Sequence, residues 1–378
     1  MSNTLTGLLP TLYESLDIVS RELVGFIPSV AMDASAARAA VGQQVLSPIT
    51  PAAAAEDIQP GLLPANDGDQ IIGNTPITIA KSRVVPFRWT GEEQLGINTG
   101  PGYSGIKNNQ ITQAFRTLCN EIETFVGATA YVGASRATGT AGNTPFASTL
   151  GDTAQLRKIL SDNGAPMSDL HCTINTTAGA NMRTLTQLTK ANEAADDTML
   201  RQGVLLDVHG FEIRESAGVA SQTKGTGSGY VNNGSVAAGS TSIPLITGTG
   251  TVLAGDVVTF AGDPHQYVVA SGVSAPGTIT LNKPGLLQAL APSTAMTIGA
   301  SYAANLGYHR NAIVLSTRAP ALPQEGDMAE DRVTMIDPRS GLAFDVSMYK
   351  LYKMVRYEIA IAYGAAVVKP EHVATLLG

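Results

Sequence analysis

Residues able to do chemistry are few in this sequence, and they are dispersed. Histidines could act as bases or metal ligands, but none stands at the spacing of an H-E-x-x-H helix or of another paired metal motif. They are His171, His209, His265, His309 and His372. The G-x-S-x-G elbow of serine hydrolases is also absent, since neither the stretch around Ser104 nor that around Ser228 has glycine at both required positions. We therefore expect isolated structural or surface histidines and no catalytic nucleophile.

Acidic pairs and one glycine cluster are the other candidates for a site. Asp67 and Asp69 in "NDGDQ" resemble a calcium loop that lacks the later bidentate glutamate, so we interpret them as a turn and a solvated loop. The pairs Asp196/Asp197 and Glu330/Asp331 belong to no further motif. The "GTGSG" cluster at Gly225 has no strand-then-helix context for phosphate binding, and it predicts a flexible linker. We expect no catalytic, cofactor or metal residues and no enzyme, which favours a structural protein.

Composition fits a chain that hides surface against copies of itself. Of its 378 residues, 44% are hydrophobic and only 15% are charged, whereas about 25% is usual for charged residues. A secreted β-rich protein would show the same bias. The formal charge of −7 argues against a nucleic-acid reader, which normally carries a basic stripe.

Cysteine use and hydropathy suggest a soluble protein made in a cytoplasm. Cys119 and Cys172 have no spacing typical of disulfides or zinc sites, and both are expected to be buried as small hydrophobic residues. The N-terminus lacks the pattern of a signal peptide. The most apolar run, "YEIAIAYGAAVV", is too short for a bilayer span of about 20 residues.

The elements begin with helices that the apolar spacing predicts. An apolar stripe predicts a helix from about Leu12 to Gly25, with Thr11 and Glu14 as a capping box. The strongest helix prediction covers 109–134. Between the two helices, "QQVLSPIT" predicts a short strand, and the remaining Ala- and Pro-rich residues predict a long projecting loop.

The stretch Thr75 to Gly96 alternates like a half-buried strand, although it contains residues that strands avoid. One parity carries the apolar residues, which are Ile77, Ile79, Val85, Phe87 and Trp89. Pro86 removes a ladder donor and predicts an edge strand or a bulge. The chain's single tryptophan therefore either closes a small local core or contacts another molecule.

The predicted secondary structure changes twice in the second half of the chain. Residues 152–218 mix helix and strand patterns. Residues 221–304 predict a helix-free β domain, in which a Gly/Ser linker at 224–242 precedes strands at 257–260, 267–269, 278–281 and 296–298. Long strands follow in the final part, at 312–317, at 332–336 and in the region 342–368.

The order of these parts resembles the major capsid proteins of tailed bacteriophages. More narrowly, it resembles the short-tailed-phage group whose coat protein carries an inserted β domain. "VLAGDVVTFAGD" is similar to the family's strand that opens the insert, and the closing "MVRYEIAIAYGAAVVKPEHVATLLG" is similar to its terminal strand and turn. The resemblance implies an α+β, tailed-phage and herpesvirus-type capsid fold over nearly the whole chain.

The resemblance also implies a domain plan. It assigns an N-terminal arm, an extended loop (E-loop) hairpin reaching over a neighbouring subunit, a peripheral domain with a spine helix, an axial domain, an inserted β-barrel domain and C-terminal axial and peripheral strands. The corresponding ranges are 1–42, 43–90, 91–150, 151–220, 221–304 and 305–378. Candidate inter-subunit contacts lie on the returning strand of the hairpin, at Lys81, Arg83, Val85, Phe87, Arg88 and Trp89. On this plan we expect Trp89→Ala to impair assembly more than folding.

The implied function is mechanical. Copies would form the hexamers and pentamers of an icosahedral head shell, with scaffolding protein and portal as partners. Double-stranded DNA would be enclosed without sequence-specific binding, no membrane would take part, and the virion would assemble in the bacterial host cytoplasm. Total burial per subunit should exceed the roughly 1,600 Å² of an ordinary complex.

Three alternatives remain open at this stage. A bacterial encapsulating nanocompartment shares the fold and would hold a cargo enzyme in place of DNA. An extracellular β-rich adhesin or carbohydrate-binding protein fits the Gly/Thr-rich composition. A hydrolase would need its site to be assembled from dispersed Asp and His.

Overall fold

The computed structural model describes residues 24–50, 55, 72–96, 102–189, 205, 207–336 and 341–378. The helices in these ranges are α1 (Gly91–Gly96), α2 (Gly102–Val132), α3 (Gly151–Asp162), α4 (Thr176–Thr184) and α5 (Thr186–Thr189). Single 3-10 turns occur at Ile27–Ser29, Arg310–Ala312 and Pro370–His372. The helix predicted from Leu12 to Gly25 lies outside the described residues, apart from its last two positions.

Strands outnumber helices in the described part of the chain. They are β1 (Ala31–Ala39), β2 (Gln44–Ile49), β3 (Gly73–Thr78), β4 (Lys81–Thr90), β5 (Arg136–Thr138), β6 (Leu170–Ile174), β7 (Phe211–Glu215), β8 (Ser221–Gln222), β9 (Val231–Asn232), β10 (Ser242–Ile246), β11 (Val257–Phe260), β12 (Gln266–Ser271), β13 (Thr278–Leu281), β14 (Met296–Ile298), β15 (Tyr302–His309), β16 (Ile313–Pro320), β17 (Asp331–Ile336), β18 (Ala343–Leu351), β19 (Met354–Val367) and β20 (Val373–Leu377). The described residues combine helices with strands that pair mostly antiparallel, so the expected α+β class is confirmed.

The described strands form two large sheets and one separate hairpin. A 6-stranded sheet has the order β1-β16-β19-β18-β17, with β4 also paired to β19. A 12-stranded sheet runs β7-β6-β15-β20-β5 and continues into β12-β13-β10-β9, with β8, β11 and β14 attached. The hairpin consists of β2 and β3 alone.

Strand β19 organises the 6-stranded sheet because it is long enough to serve three partners. Its residues 354–360 pair with β18, and residues 362–367 pair with β16. Strand β4 pairs with residues 354–363, which overlap both of those ranges, so it must lie on the opposite edge of β19. The 6-stranded sheet therefore ends at β4 on that side, among the described strands.

Helix α2 is the long helix that the sequence predicts, and it begins seven residues earlier than expected. Its 31 residues make a rod of about 46 Å. The predicted apolar face is buried against the 6-stranded sheet, except that Phe125 is only partly buried. Phe115 meets Phe344 edge-to-face at 5.0 Å, and Phe125 meets Tyr363 in the same way at 5.2 Å.

Two smaller cores lie away from this helix. One joins α3 to β6 and β7 through Leu156, Leu160 and Cys172. The other lies wholly within the strands from β9 to β14, around Tyr230 and Tyr267. The four strands predicted in this region are confirmed, three of them with identical bounds.

The prediction of a flexible Gly/Ser linker at 224–242 is wrong. Tyr230 and Asn232 are buried within this stretch. The Asn232 amide donates to the carbonyl of Ala291 at 2.8 Å, and the N–H of Gly225 donates to the Asp256 carboxylate at 3.0 Å. The small residues here pack a β domain because long-range polar contacts fix their backbone.

The prediction of a loop at 31–39 is wrong as well, because this range forms strand β1. The strand pairs in parallel with β16, whose residues lie almost 300 positions later. Arg38 reinforces the pairing with an ion pair of 3.2 Å to the buried Asp345. An alanine-rich strand has no alternating pattern, so only its distant partner defines it.

Candidate inter-subunit surface

Strand β4 contains all six candidate contact residues, five of them with the parity of Trp89 and only Arg88 with the other. Val85, Phe87 and Trp89 face the core side, as their shared parity predicts. Arg83 and Arg88 are exposed. The strand pairs with β19 along its whole length, so it belongs to the body of the chain and only its outer edge and its exposed side chains are open.

Trp89 closes a small local core, which is the first of the two alternatives that the sequence left open. Its side chain is only 7% exposed and packs against Met348 and Tyr357. Its indole N–H donates to the Oε1 of Gln110 on α2 at 2.8 Å. The pairing of β4 with β19 turns this side chain inward, toward residues that lie far along the chain. Trp89 therefore holds β4 against α2.

Lys81 and Arg83 meet a carboxylate of their own chain. Arg83 lies 2.6 Å from Glu121 Oε1 and Lys81 lies 3.5 Å from the same oxygen. Desolvation by burial opposes ionisation of Glu121, but hydrogen bonds from Arg83 and Tyr363 and the charges of Arg83 and Lys81 lower its pKa overall. Such partly exposed pairs contribute only about 0–1 kcal/mol. Both cations remain accessible enough to rearrange onto a neighbour.

The β2–β3 hairpin has one covered face and one open face. Val45, Ile49 and Ile77 alternate inward and are partly or fully buried. The opposite face is exposed, and it carries Leu46, which is 59% exposed, directly across from Pro76. The structure thus confirms the strand predicted in "QQVLSPIT" and shows an exposed face whose apolar residues are Leu46, Pro48 and Pro76.

Prolines block the outer edges of the hairpin and of β4. Pro48 and Pro76 occupy pairs of the same parity, and a proline cannot donate to its partner strand. Those positions are therefore the ones whose backbone groups point away from the partner strand, so the missing donors belong to the open edges. Pro86 does the same for β4 in its pair with Glu358. Edge prolines of this kind prevent indiscriminate strand addition.

The base of the hairpin is fixed by a close backbone approach. Ile79 is fully buried against Ala39 and Ala362. A Cβ atom on Gly364 would lie 2.0 Å from the carbonyl oxygen of Thr78. Only glycine allows β19 to pass this close, so the hairpin leaves the body of the chain at a defined position.

A second open surface lies at the far end of the 6-stranded sheet. The turn between β18 and β19 carries Leu351 and Tyr352, which are 42% and 85% exposed. Together with the residues from Trp89 to Gln94, this turn borders a cleft of about 780 Å³. The sequence predictions did not single out this surface.

A buried carboxylate on α2 is the main functional residue that the sequence analysis missed. Glu123 is 2% exposed, and it accepts hydrogen bonds from the N–H groups of Gly25 and Phe26 at 2.6 and 2.7 Å. It also accepts from the N–H of Ile27 at 3.0 Å and from the Ser216 hydroxyl at 2.6 Å. The available signal was a single acid on an otherwise apolar helix face.

Metal ligands, membrane spans and acidic pairs are the remaining features that the sequence raised for the described residues. Within those ranges, no three His, Cys, Asp or Glu side chains gather as metal ligands. No helix that the structure describes has both the length and the apolarity to cross a bilayer. Glu330 pairs with Lys350 at 2.8 Å, whereas Asp67/Asp69 and Asp196/Asp197 lie outside the described ranges.

Comparison with known proteins identifies the fold and nothing finer. No protein-family model and no curated protein sequence matches this chain. Among solved structures, the capsid of the cyanophage P-SCSP1u matches with a TM-score of 0.53 at 13% identity, covering 94% of this chain and 88% of that chain. A chain from Mycobacterium phage Che8 covers 89% and 84% at 13% identity, and a chain from the capsid of a native GTA particle covers 94% and 90% at 9% identity. Both of these have TM-scores of 0.48, and no conclusion about this chain is based on them. The likeness to the cyanophage structure confirms the capsid-type α+β fold that the resemblance implied.

Proposed function

We propose that this chain is the major capsid protein of a tailed double-stranded DNA phage and that its copies form the icosahedral head shell. The single observation that supports this most strongly is the match to the cyanophage capsid along almost the entire length of both chains. We accordingly propose a structural role without enzymatic activity.

The surface of the chain supports assembly from copies of itself. The open face of the β2–β3 hairpin carries Leu46, and the far end of the 6-stranded sheet carries Tyr352. These apolar side chains lie on separate parts of the chain. Contacts between unlike surfaces are heterologous, and heterologous contacts close into rings when the rotation allows. Pentamers and hexamers require that kind of contact.

The domain plan stated above belongs to this proposal. Residues 1–42 would be the N-terminal arm, 43–90 the hairpin that reaches a neighbour, and 91–150 the peripheral domain with its spine helix. Residues 151–220 with part of 305–378 would form the axial domain, and 221–304 the inserted β domain. The separate core of strands β9 to β14 supports an insert that folds around its own apolar residues.

The candidate contacts on β4 divide into two roles within this proposal. Arg88 is exposed and can meet a neighbouring copy, and Lys81 and Arg83 can do so by releasing Glu121. Val85, Phe87 and Trp89 face their own core, so they would act by positioning the strand.

The remaining partners follow from the proposed role. Scaffolding protein and portal would guide closure, and the genome would be enclosed without sequence-specific contacts. The formal charge of −7 keeps a passive container from adhering to DNA. The mature protein would reside in the virion after assembly in the bacterial host cytoplasm.

Negative-stain microscopy of the purified full chain tests the proposal, alone and after co-expression with a candidate scaffolding protein. We expect closed shells of uniform diameter, and native particles should yield double-stranded DNA. Particles that contain a co-purifying enzyme and no DNA would instead support a nanocompartment. A chain that stays monomeric under both conditions would refute the proposal.

A further inference from the structure

The two large sheets are joined at a place where two connections run side by side. The 3-10 turn Arg310–Ala312 links β15 to β16, and residues 368–372 link β19 to β20. The carbonyl oxygen of Ala312 accepts from the N–H of Val368 at 2.8 Å and from the N–H of Lys369 at 3.3 Å. Any rotation of one sheet relative to the other must strain this junction.

A histidine lies at each of these connections, His309 at the end of β15 and His372 in the second connection, and the two rings meet edge-to-face. His309 and His372 have ring centroids 6.3 Å apart, at an interplanar angle of 71°. His309 is 8% exposed and His372 is half-buried. Two of the dispersed histidines of the sequence thus meet at the junction between the sheets.

The hydrogen bonding at this junction requires a neutral His309. Its Nδ1 accepts from the N–H of Asn311 at 3.2 Å and caps the turn Arg310–Ala312. A protonated Nδ1 is a donor and cannot accept that bond. Protonation would therefore remove the cap and place a positive charge beside the second ring.

The surrounding charges do little to accommodate a proton. Lys369 and His171 disfavour a positive charge on His309. At His372, Lys369 also disfavours a positive charge, whereas Glu371 favours it. Asp169 favours a charged His309, but its carboxylate also lies 3.0 Å from His171 Nε2. His171 in turn lies 3.2 Å from Glu212 on β7. On the turn itself, Arg310 adds a further exposed cation.

We propose that His309 and His372 form an acid-sensitive latch that holds the two sheets in their relative orientation and releases when the rings are protonated. This inference rests on the junction itself and does not depend on the proposed function.

The expected direction follows from the two pKa values. Burial lowers the pKa of His309 and of His372 below the ordinary value of 6.5. The open junction therefore binds protons more readily than the closed junction. The latch is fully effective above pH 6.5, and it weakens as the pH falls from that value toward the lowered pKa of the closed state.

Hydrogen–deuterium exchange of the full chain at pH 7.5 and 5.5, corrected for the intrinsic pH dependence, tests the latch. We expect protection of the Val368 and Lys369 amides to fall at pH 5.5, by at most about tenfold for each histidine, because pH 5.5 lies one unit below the ordinary pKa of 6.5. Amides of β13 should keep their protection, which separates local opening from global unfolding. Equal protection at both pH values would overturn the proposal.

Matched variants identify the groups responsible. His309→Asn keeps an acceptor at the position of Nδ1, and His372→Gln removes the second titrating group. The double variant should lose the acid effect. The control is His209→Asn, at a residue just before β7 with a φ of 52°, and it should retain the acid effect. An acid effect that persists in the double variant would assign it to other groups. If the double variant does not fold, His372→Gln alone should show a reduced response, and an undiminished response would also overturn the proposal.

Discussion

Phe26 donates its backbone N–H to the carboxylate of Glu123 at 2.7 Å, across 97 positions of sequence. The same carboxylate accepts from Ser216, just after β7, at 2.6 Å. One buried side chain thus joins the start of the described chain, the long helix α2 and the residues that follow β7. Position 123 holds the parts of the fold together without belonging to any recognisable motif.

Glu123→Gln should destabilise the chain by about 3 kcal/mol, because buried donors to a charged acceptor would lose their partner. The amide that replaces one oxygen is itself a donor and faces other donors. Urea unfolding of the full chain measures the loss. Glu121→Gln is the matched control, on the same helix and with partly exposed ion pairs, and it should cost less than about 1 kcal/mol. Equal losses would show that Glu123 does not have this linking role.

How far the sequence predicts this fold depends on how local the determining contacts are. Helix α2 and strand β13 follow from the spacing of their own apolar residues, and both were predicted. Strand β1 was missed because its ladder partner β16 lies far along the chain. The Gly/Ser stretch was wrongly predicted to be flexible because its order depends on distant partners. Asn232 donates to the carbonyl of Ala291, and the N–H of Gly225 donates to Asp256.

The candidate site shows the same division. Parity correctly placed Val85, Phe87 and Trp89 on one face of β4. It could not show whether that face meets the same chain or another, since this depends on the register with β19. Glu123 gave only a weak signal, because one acid among apolar positions does not reveal the donors that surround it.

Trp89→Ala should impair folding of the monomer first, which reverses the expectation from the sequence. Loss of a side chain that is 7% exposed, together with its bond to Gln110, should cost about 3–5 kcal/mol. Leu46→Ala should change the stability of the monomer by no more than about 0.5 kcal/mol, because this exposed residue has no close packing to lose. Denaturant unfolding gives both values.

Particle yield per folded molecule separates the same two variants. We expect Leu46→Ala to lower the yield of shells and Trp89→Ala to leave it nearly unchanged among the molecules that fold. Normal assembly of Leu46→Ala would remove the open hairpin face from the proposed contacts.

Gly364→Ala should disturb the base of the hairpin, because the added Cβ would lie 2.0 Å from the Thr78 carbonyl oxygen. Backbone atoms cannot move away easily, so we expect a loss of about 1–3 kcal/mol. Gly105→Ala is the control, since a Cβ there meets nothing within 4 Å inside α2. That change should stabilise the chain by about 0.5–1 kcal/mol through helix propensity. Thermal unfolding distinguishes the two, and a neutral Gly364→Ala would contradict the close approach.

Cys172 should resist thiol reagents as long as the chain is folded. Burial raises the pKa of its thiol to about 12, and the side chain is fully buried in the core beside α3. The reactive thiolate is therefore scarce and enclosed at pH 8. A colorimetric thiol assay on Cys119→Ser should detect no fast-reacting group in buffer and one in denaturant. Rapid labelling of the native variant would show that this core opens readily.

Pro48 and Pro76 should protect the hairpin from uncontrolled pairing. Replacing both with valine would restore outward donors on its two open edges and leave the exposed face apolar. We expect irregular aggregates, detected by light scattering and microscopy, in place of uniform particles. The double variant Asn74→Val/Thr78→Val is the control, since it adds two valines on the same exposed face without creating a donor. If both variants aggregate equally, added apolar surface and not the restored donors is responsible, and the protective role of the prolines is refuted.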